Sequence, residues 1–379
     1  MPVRIVFVTN NYTPYSGGVV SSINATVDAL IKKNHDVTII TLDFLGKKHI
    51  TDPAYVIRLA CPIKFMYKQN HMAVPWKPQK LMFQLFNHIR PDIIHIHHPF
   101  LLGKAALKAA RKLNIRCVFT YHTLYEEYAH YIPIPQYISK PLIGLLVKKF
   151  CTNVDGIITP SMTIKNYLTK KNITCPIITI ASSLRDLFFT SQKTPSLNNK
   201  PSFNLLLVSR FTKEKNIPLA LEVIKRLPNN FTLTLVGYGT EYMNIQKIAH
   251  EDLNLSQDRV KFVHKPAQDT LLSLYQSAHL FIFPSQTDTQ GIVLAEAMSQ
   301  GIPVIALDGP GQRDIIQNGY NGFIVDNIEQ MITTIKWLSH SKKQLDTLAH
   351  GALETAKKYH PETIINHLTT FYRAIIQQP

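Results

Sequence analysis

Along residues 1–160, short apolar runs alternate with longer stretches in which apolar positions recur every three to four residues. The runs at 3–9, 36–42, 92–96, 115–120 and 156–159 have strand length, and those at 18–33, 101–113 and 137–150 have helix length and period. Strand, helix and strand in turn form the pattern of a parallel, doubly wound sheet. A polar stretch at 191–202, with Pro195, Pro201 and two asparagines, then reads as part of a linker near 184–202. Beyond it the alternation restarts, with strands expected at 203–209, 231–236, 259–263, 280–283 and 303–306 and helices at 217–226, 271–277 and 292–300. The tail from 329 to 378 is helical by pattern, and Pro361 is placed to start a separate last helix. The expected fold class is α/β: an N-terminal domain over 1–185, a second doubly wound domain over 203–358, and a helix over 361–379 packing back on the first. Ligands of such folds bind beyond the carboxyl ends of the strands, so motifs there carry the most information.

Length agrees with two domains, since 379 residues exceed the roughly 250–300 at which one core stops growing. An apolar content of 45% excludes disorder as the main state. No apolar run approaches the roughly 20 residues of a membrane-spanning helix, and 142–147 is among the longest. The first residues read as a strand rather than a signal peptide. Cys61, Cys117, Cys151 and Cys175 form no C-x-x-C pair, which signals neither a zinc knuckle nor a disulfide framework and points to a reducing cytoplasm.

Charge adds an asymmetry. The whole chain carries +16, and residues 1–185 hold 23 Lys+Arg against 8 Asp+Glu, a net +15 that leaves +1 for the rest. Such a half faces an anionic partner, nucleic acid or a membrane surface, or simply solvates its own exterior.

The richest strand end is 284–298. Asp288 stands in a loop and Glu296 eight residues on in a helix, so both can face one ligand, and carboxylates suit polyhydroxylated ligands because each oxygen accepts from a hydroxyl. Gly291, followed by Ile292 and Val293, offers backbone amides at a helix N-terminus. The competing assignment makes Asp288 a helix cap and Glu296 a structural partner of some base. Arg210 and Lys215 sit in the first strand-to-helix loop of the second domain, where two cations can hold a diphosphate or lie exposed. Gly237 and Gly239 end the next strand, as a phosphate loop or a tight turn.

In the first domain Gly17 and Gly18 open the first helix without the G-x-G-x-x-G of a dinucleotide site. His95, His97 and His98 crowd a strand end; with no matching acidic ligands nearby, local hydrogen bonding is expected rather than metal. The segment 119–131 brings Tyr121, His122, Tyr125 and Tyr131 to another strand end as an acceptor site, with His122 nearest the sheet.

Together the Gly17-Gly18 loop, the Arg210/Lys215 loop, the acid pair and the segment Gly301 to Ala306 resemble the retaining GT-B glycosyltransferases of family 4, over nearly the whole chain. Within that family, 97–103 and 120–131 look like the bacterial 1,2-diacylglycerol 3-glucosyltransferases. The resemblance implies two facing domains with a cleft, and a nucleotide-diphosphate sugar as substrate, UDP-glucose, with its hexose passed to a lipid hydroxyl. It puts Glu296 on the ribose, Arg210 and Lys215 on the diphosphate, Asp288 and His122 on the transferred sugar, and the Gly17 amide on the distal phosphate. It further implies no metal or other cofactor, while the +15 first half, with Lys104, Lys108, Arg111 and Lys112 and Lys148 and Lys149 on helix faces, is expected to hold the protein peripherally on an anionic membrane at the cytoplasmic face, and no recognition signature supports nucleic acid. Two positions depart from the family pattern: Asp288 stands where Glu is common, and Ile180 to Asp186 lack the usual linker glycine, with Arg185 near the place of its Asp. The alternatives are a GDP-mannose-dependent mannosyltransferase, a nucleic-acid-binding module, and a non-catalytic glycosyltransferase-like subunit.

Overall fold

Unbroken apolar runs become strands covered on both faces, as parallel sheets require. The structure, a computed structural model, describes residues 2–13, 17–44, 52–67, 70–131, 135–190, 202–288 and 290–378. The chain divides into two compact units, Met1–Ser183 with Pro361–Pro379, and Leu184–His360. The expected linker stretch 191–201 lies outside the described residues.

Unit 1 runs β1 (Arg4–Val8), α1 (Gly18–Lys32), β2 (Asp36–Leu42), β3 (Val56–Leu59), β4 (Ile63–Tyr67), β5 (Asn70–Val74), α2 (Pro78–Ile89), β6 (Ile93–Ile96), α3 (Leu102–Lys112), β7 (Arg116–Thr120), a 3-10 stretch Tyr125–Tyr131, α4 (Gln136–Cys151), β8 (Gly156–Thr159), α5 (Met162–Lys170) and β9 (Ile177–Thr179). Its seven-stranded sheet has the order β3-β2-β1-β6-β7-β8-β9, every neighbouring pair parallel. The chain order reverses between β1 and β6, in register Ile5 to Ile93.

Unit 2 runs α6 (Leu187–Thr190), β10 (Phe203–Arg210), α7 (Ile217–Arg226), β11 (Phe231–Tyr238), α8 (Tyr242–Lys247), β12 (Val260–His264), α9 (Gln268–Ser277), β13 (Leu280–Phe283), α10 (Ile292–Ser299), β14 (Val304–Leu307), α11 (Pro310–Ile315), β15 (Gly322–Val325), α12 (Ile328–Ser339) and α13 (Lys342–Ala356). Its six parallel strands take the order β12-β11-β10-β13-β14-β15, reversing between β10 and β13.

The last helix, α14 (Pro361–Ile376), belongs to unit 1. Its buried Tyr372 hydroxyl lies 2.6 Å from His95 Nδ1. Gly156 makes room for the same helix, because a Cβ there would stand 2.7 Å from the Phe371 ring.

The elements absent from the pattern reading are instructive. β3, β9 and β15 are edge strands of three or four residues, too short and too partly exposed to show a period. The β4–β5 pair forms a separate two-stranded antiparallel sheet.

Candidate functional site

Loops leaving neighbouring strands on opposite sides of a reversal point leave an opening between them at the sheet's carboxyl edge. In unit 2 these loops are 211–216 after β10 and 284–291 after β13, and they are stitched to each other. Ser285 Oγ donates to the Glu214 carbonyl at 3.2 Å, and Asn216 Nδ2 to the Pro284 carbonyl at 3.5 Å. The N-terminal end of α11 closes the set: Gln312 Nε2 donates to the Ser285 carbonyl and the Gly311 amide to the Asp288 carbonyl at 2.8 Å.

On this frame Lys215 Nζ donates to Asp288 Oδ1 at 2.5 Å, with both side chains mostly buried. Arg210 Nη2 lies 3.6 Å from Glu214 Oε1, an ion pair too long to be a hydrogen bond. Asp288 does not cap α10: the N-cap is Gly291, at φ +63°, and no side chain accepts from the first turn. The amides there, at Ile292 and Val293, therefore lack a side-chain cap. Among the described residues, buried polar atoms without a hydrogen-bond partner gather at this place: Thr212 Oγ1, Glu214 Oε1, Asp288 Oδ2, Gln290 Nε2 and Gln312 Oε1. Such atoms are costly to bury unless something pairs with them, and this set contains both donors and acceptors, which suits a ligand rich in hydroxyls.

Glu296 sits one turn into α10 and keeps part of its surface open while protein crowds most of it. Loss of water pushes its carboxyl up to about 7, against the opposing pull of the Tyr275 hydroxyl and the Arg185 charge. Tyr275, fully buried on α9, donates to Glu296 Oε2 at 2.7 Å. Gly237 is a strand residue of β11 rather than a loop: at φ +149° its Cβ would stand 1.8 Å from the Ser209 carbonyl, so close strand packing accounts for the glycine.

The reversal point of unit 1 is built differently. Gly17 is the N-cap of α1 with no side-chain cap, and Gly18 has open space where a Cβ would be. Residues 14–16 of that loop lie outside the described residues. Within β6 and just after β6 and β7 stand four imidazoles. His95 bonds Thr120 Oγ1 and the Tyr372 hydroxyl, each at 2.6 Å. His97 Nδ1 lies 2.8 Å from His122 Nε2 with the rings stacked, and His98 Nδ1 faces Thr9 Oγ1 at 3.3 Å. Desolvation lowers all four, His95 to about 3, His98 to about 4, and His97 and His122 well below the ordinary value. They are neutral at pH 7. The acceptor tyrosines divide: Tyr121 is buried edge-on between Phe119 and Tyr125, and Tyr125 is half-buried and edge-on to Phe100. The Tyr131 side chain lies outside the described residues.

Sequence spacing pointed to Arg210, Lys215, Asp288 and Glu296; the structure makes Arg210 the last residue of β10 rather than a loop residue and sets Lys215 and Asp288 on the two adjoining loops. It adds Thr212, Glu214 and Gln290 from within the two loops the sequence singled out, and Tyr275 and Gln312 from outside them: Tyr275 comes 21 positions before Glu296, a separation with no periodic meaning. Among the described residues, no group of three or more His, Cys, Asp and Glu is arranged to hold a metal ion.

Comparison with known proteins gives the family and the fold. Residues 16–181 match the family Glycosyltransferase Family 4, and residues 189–355 match Glycosyl transferases group 1. The alpha-monoglucosyldiacylglycerol synthase of Streptococcus pneumoniae is 29% identical over 83% of this chain and 73% of its own length. That of Acholeplasma laidlawii is 26% identical over 99% and 98%. A GDP-mannose-dependent alpha-mannosyltransferase of Mycolicibacterium smegmatis is 23% identical over 85% and 84%. Among solved structures, sucrose-phosphate synthase of Thermosynechococcus elongatus superposes with a TM-score of 0.79 at 19% identity, covering 98% of this chain and 99% of that one. HepE of Anabaena, solved with UDP-glucose, gives 0.76 at 16%, over 98% and 100%. The fold is GT-B.

Proposed function

Because the chain belongs to glycosyltransferase family 4, we propose that it moves glucose from UDP-glucose onto the hydroxyl of a lipid such as diacylglycerol, with retention of configuration and without a metal ion. The loops at the β10/β13 reversal carry this reading. They set two cations beside a carboxylate and surround them with unpaired donors and acceptors, a lining suited to a diphosphate joined to a sugar.

In this reading Arg210 and Lys215 hold the diphosphate and neutralise the charge it gains as it leaves, the task a divalent ion performs in other sites. Their pairs with Glu214 and Asp288 hold them in place beforehand. Asp288 Oδ2 and Gln290 Nε2 meet the sugar hydroxyls. Glu296, once ionised, accepts from the ribose, and the amides of Gly291, Ile292 and Val293 add donors. In unit 1 the room left at Gly18 lets backbone approach the distal phosphate, with Gly17 beside it. Neutral His122, braced by His97, serves the reacting sugar as a hydrogen-bonding group, and Tyr125 remains an acceptor candidate.

The relatives named as alpha-monoglucosyldiacylglycerol synthases support a lipid acceptor, and α4 supports peripheral attachment to a membrane surface. It turns outward Tyr137, Ile138, Leu142, Leu145 and Leu146 together with Lys148 and Lys149. α3 differs, for it exposes Lys104, Lys108, Arg111 and Lys112 but buries Leu107. Among the described residues no helix is long and apolar enough to cross a membrane. Each cation near an anionic surface contributes about 1 kcal/mol, so several together hold the protein reversibly.

The test is to incubate purified protein with UDP-glucose or GDP-mannose and diacylglycerol vesicles, with and without EDTA, and to identify the lipid product and its anomer. An α-glucolipid formed in EDTA is expected. A mannolipid from GDP-mannose alone would favour the second donor, in line with the mannosyltransferase relative. No product from either donor would overturn the proposal.

A further inference from the structure

The β4–β5 hairpin stands apart from the seven-stranded sheet and has two unlike faces. In its antiparallel register Ile63 pairs with Val74, Lys64 with Ala73 and Phe65 with Met72. Residues directly opposite share a face and successive residues alternate, so Ile63, Val74, Phe65 and Met72 form one face, with Lys64 and Ala73 on the other. Ala73 is 4% exposed and joins the core of unit 1. The four apolar residues of the opposite face are 55%, 37%, 48% and 46% exposed, and Trp76, two residues beyond the strand, is 67% exposed. A hairpin anchored through Ala73, with Lys64 on the same face bonded to Asp43, thus presents its large apolar face outward. Contiguous exposed apolar surface of this kind marks an interaction site.

We infer that this face is a membrane wedge, which enters the boundary between headgroups and acyl chains while Lys77 stays among the headgroups. The inference rests on the membrane reading proposed above and names an element that reading did not use. The charge of the surroundings selects the occupant. Residues 1–185 carry a net +15, so a second copy docking through the same face would set two strongly cationic halves against each other, whereas an anionic bilayer attracts the same half. The local chemistry agrees. Lys77 Nζ lies 5.8 Å from the centre of the Trp76 ring, and an aromatic with an adjacent cation suits the interface, where rings settle at headgroup level and ammonium groups reach phosphate. Burial of the apolar side chains adds to the electrostatic attraction, as in other interfacial anchors. For a lipid acceptor the consequence is that the wedge holds unit 1 at the depth where a diacylglycerol hydroxyl lies.

The chain has two tryptophans, Trp76 and Trp337, and Trp337 stands on α12 of unit 2. Trp337→Phe therefore makes Trp76 the sole indole reporter in the full-length protein. On adding vesicles of anionic phosphatidylglycerol, its emission should shift to the blue and be quenched by lipids carrying a doxyl group near the top of the acyl chain. Phe65→Ser and Trp76→Ser, tested separately by vesicle sedimentation, should each weaken binding about tenfold, the loss expected when one large, partly submerged side chain is removed. Far-UV circular dichroism and melting temperature should be unchanged in both, which shows that unit 1, where both residues lie, stays folded. Sedimentation with vesicles but no blue shift or quenching would overturn the wedge and leave the membrane reading to α4. No sedimentation at all would overturn both. A blue shift that grows with protein concentration in the absence of lipid would overturn the wedge in favour of self-association, and one produced by an acidic polypeptide but not by vesicles would assign the face to a protein partner.

Discussion

At the β1/β6 reversal four imidazoles lie together, all made harder to protonate by desolvation. At the β10/β13 reversal stand two cations, the carboxylates Glu214 and Asp288, and several buried polar atoms with no partner. The two sheets share parallel topology and a single change of direction, so backbone architecture does not explain the difference. Side chains do. His95 and His98 are satisfied by Thr120, Tyr372, Thr9 and the Asn10 amide, and His97 Nδ1 pairs with His122, which leaves His97 Nε2 as the one buried imidazole nitrogen of this group without a partner among the described residues. In unit 2 the paired charges and unpaired donors and acceptors are costly without a partner. The lesson is that equivalent places in one architecture carry opposite chemistry, a cluster of neutral imidazoles in unit 1 and paired charges among unpartnered polar atoms in unit 2, and that function follows the site rather than the fold.

The glycines offer the sharpest way to break this comparison. Gly237→Ala drives a Cβ into the Ser209 carbonyl at an unfavourable φ and should destabilise unit 2 by about 4 kcal/mol or more, read as a large fall in melting temperature. Gly18→Ala has open space and should leave the melting temperature nearly unchanged while raising the KM for the nucleotide sugar. Equal stability of the two variants would remove the distinction between a packing glycine and a ligand-facing one.

Next in size, Arg210→Ala and Lys215→Ala should each lower kcat about 10²- to 10³-fold with a smaller change in KM, since the charge they meet grows toward the transition state. Near-normal turnover in either would take that residue off the diphosphate.

Smaller still, Glu296→Gln should weaken UDP binding about 10- to 100-fold by calorimetry, the range for a hydrogen bond to a charged acceptor. Because the carboxyl titrates at about 7, affinity in the parent protein should rise between pH 6 and 8, and the Gln variant should show no such rise.

The mildest effect separates the two sites by the sign of their pH dependence. The imidazoles take protons less readily folded than unfolded, so their contribution to stability is present above about pH 6.5 and is lost as pH falls toward 4. Glu296 binds its proton more tightly folded than unfolded, so its contribution is present below about pH 4.5 and is lost as pH rises through about 7. Melting curves should show Glu296→Gln abolishing the second slope and leaving the first. Loss of both slopes together would mean that the sites titrate as one.

Much of this chain is legible from its order of residues. Short runs rich in β-branched and other apolar residues, bounded by polar turns and alternating with helix-length segments, read as covered strands, so 36–42, 156–159 and 280–283 emerge with the bounds the structure shows. Gly17, Gly18, Arg210, Lys215, Asp288 and Glu296 stand out because their chemistry is local to a strand end. The tertiary structure alone decided the rest, wherever a role depends on partners distant in sequence. Tyr275 holds Glu296 because α9 lies beside α10; Gly237 is required because Ser209 passes it on β10; Tyr121, read from its neighbours as an acceptor contact, packs instead against Phe119 and Tyr125. The β4–β5 hairpin shows the same limit. Its alternation of Ile63, Lys64 and Phe65 is visible in the sequence, but which face lies inward depends on Ala73 meeting the core, and burial is a property of the whole fold.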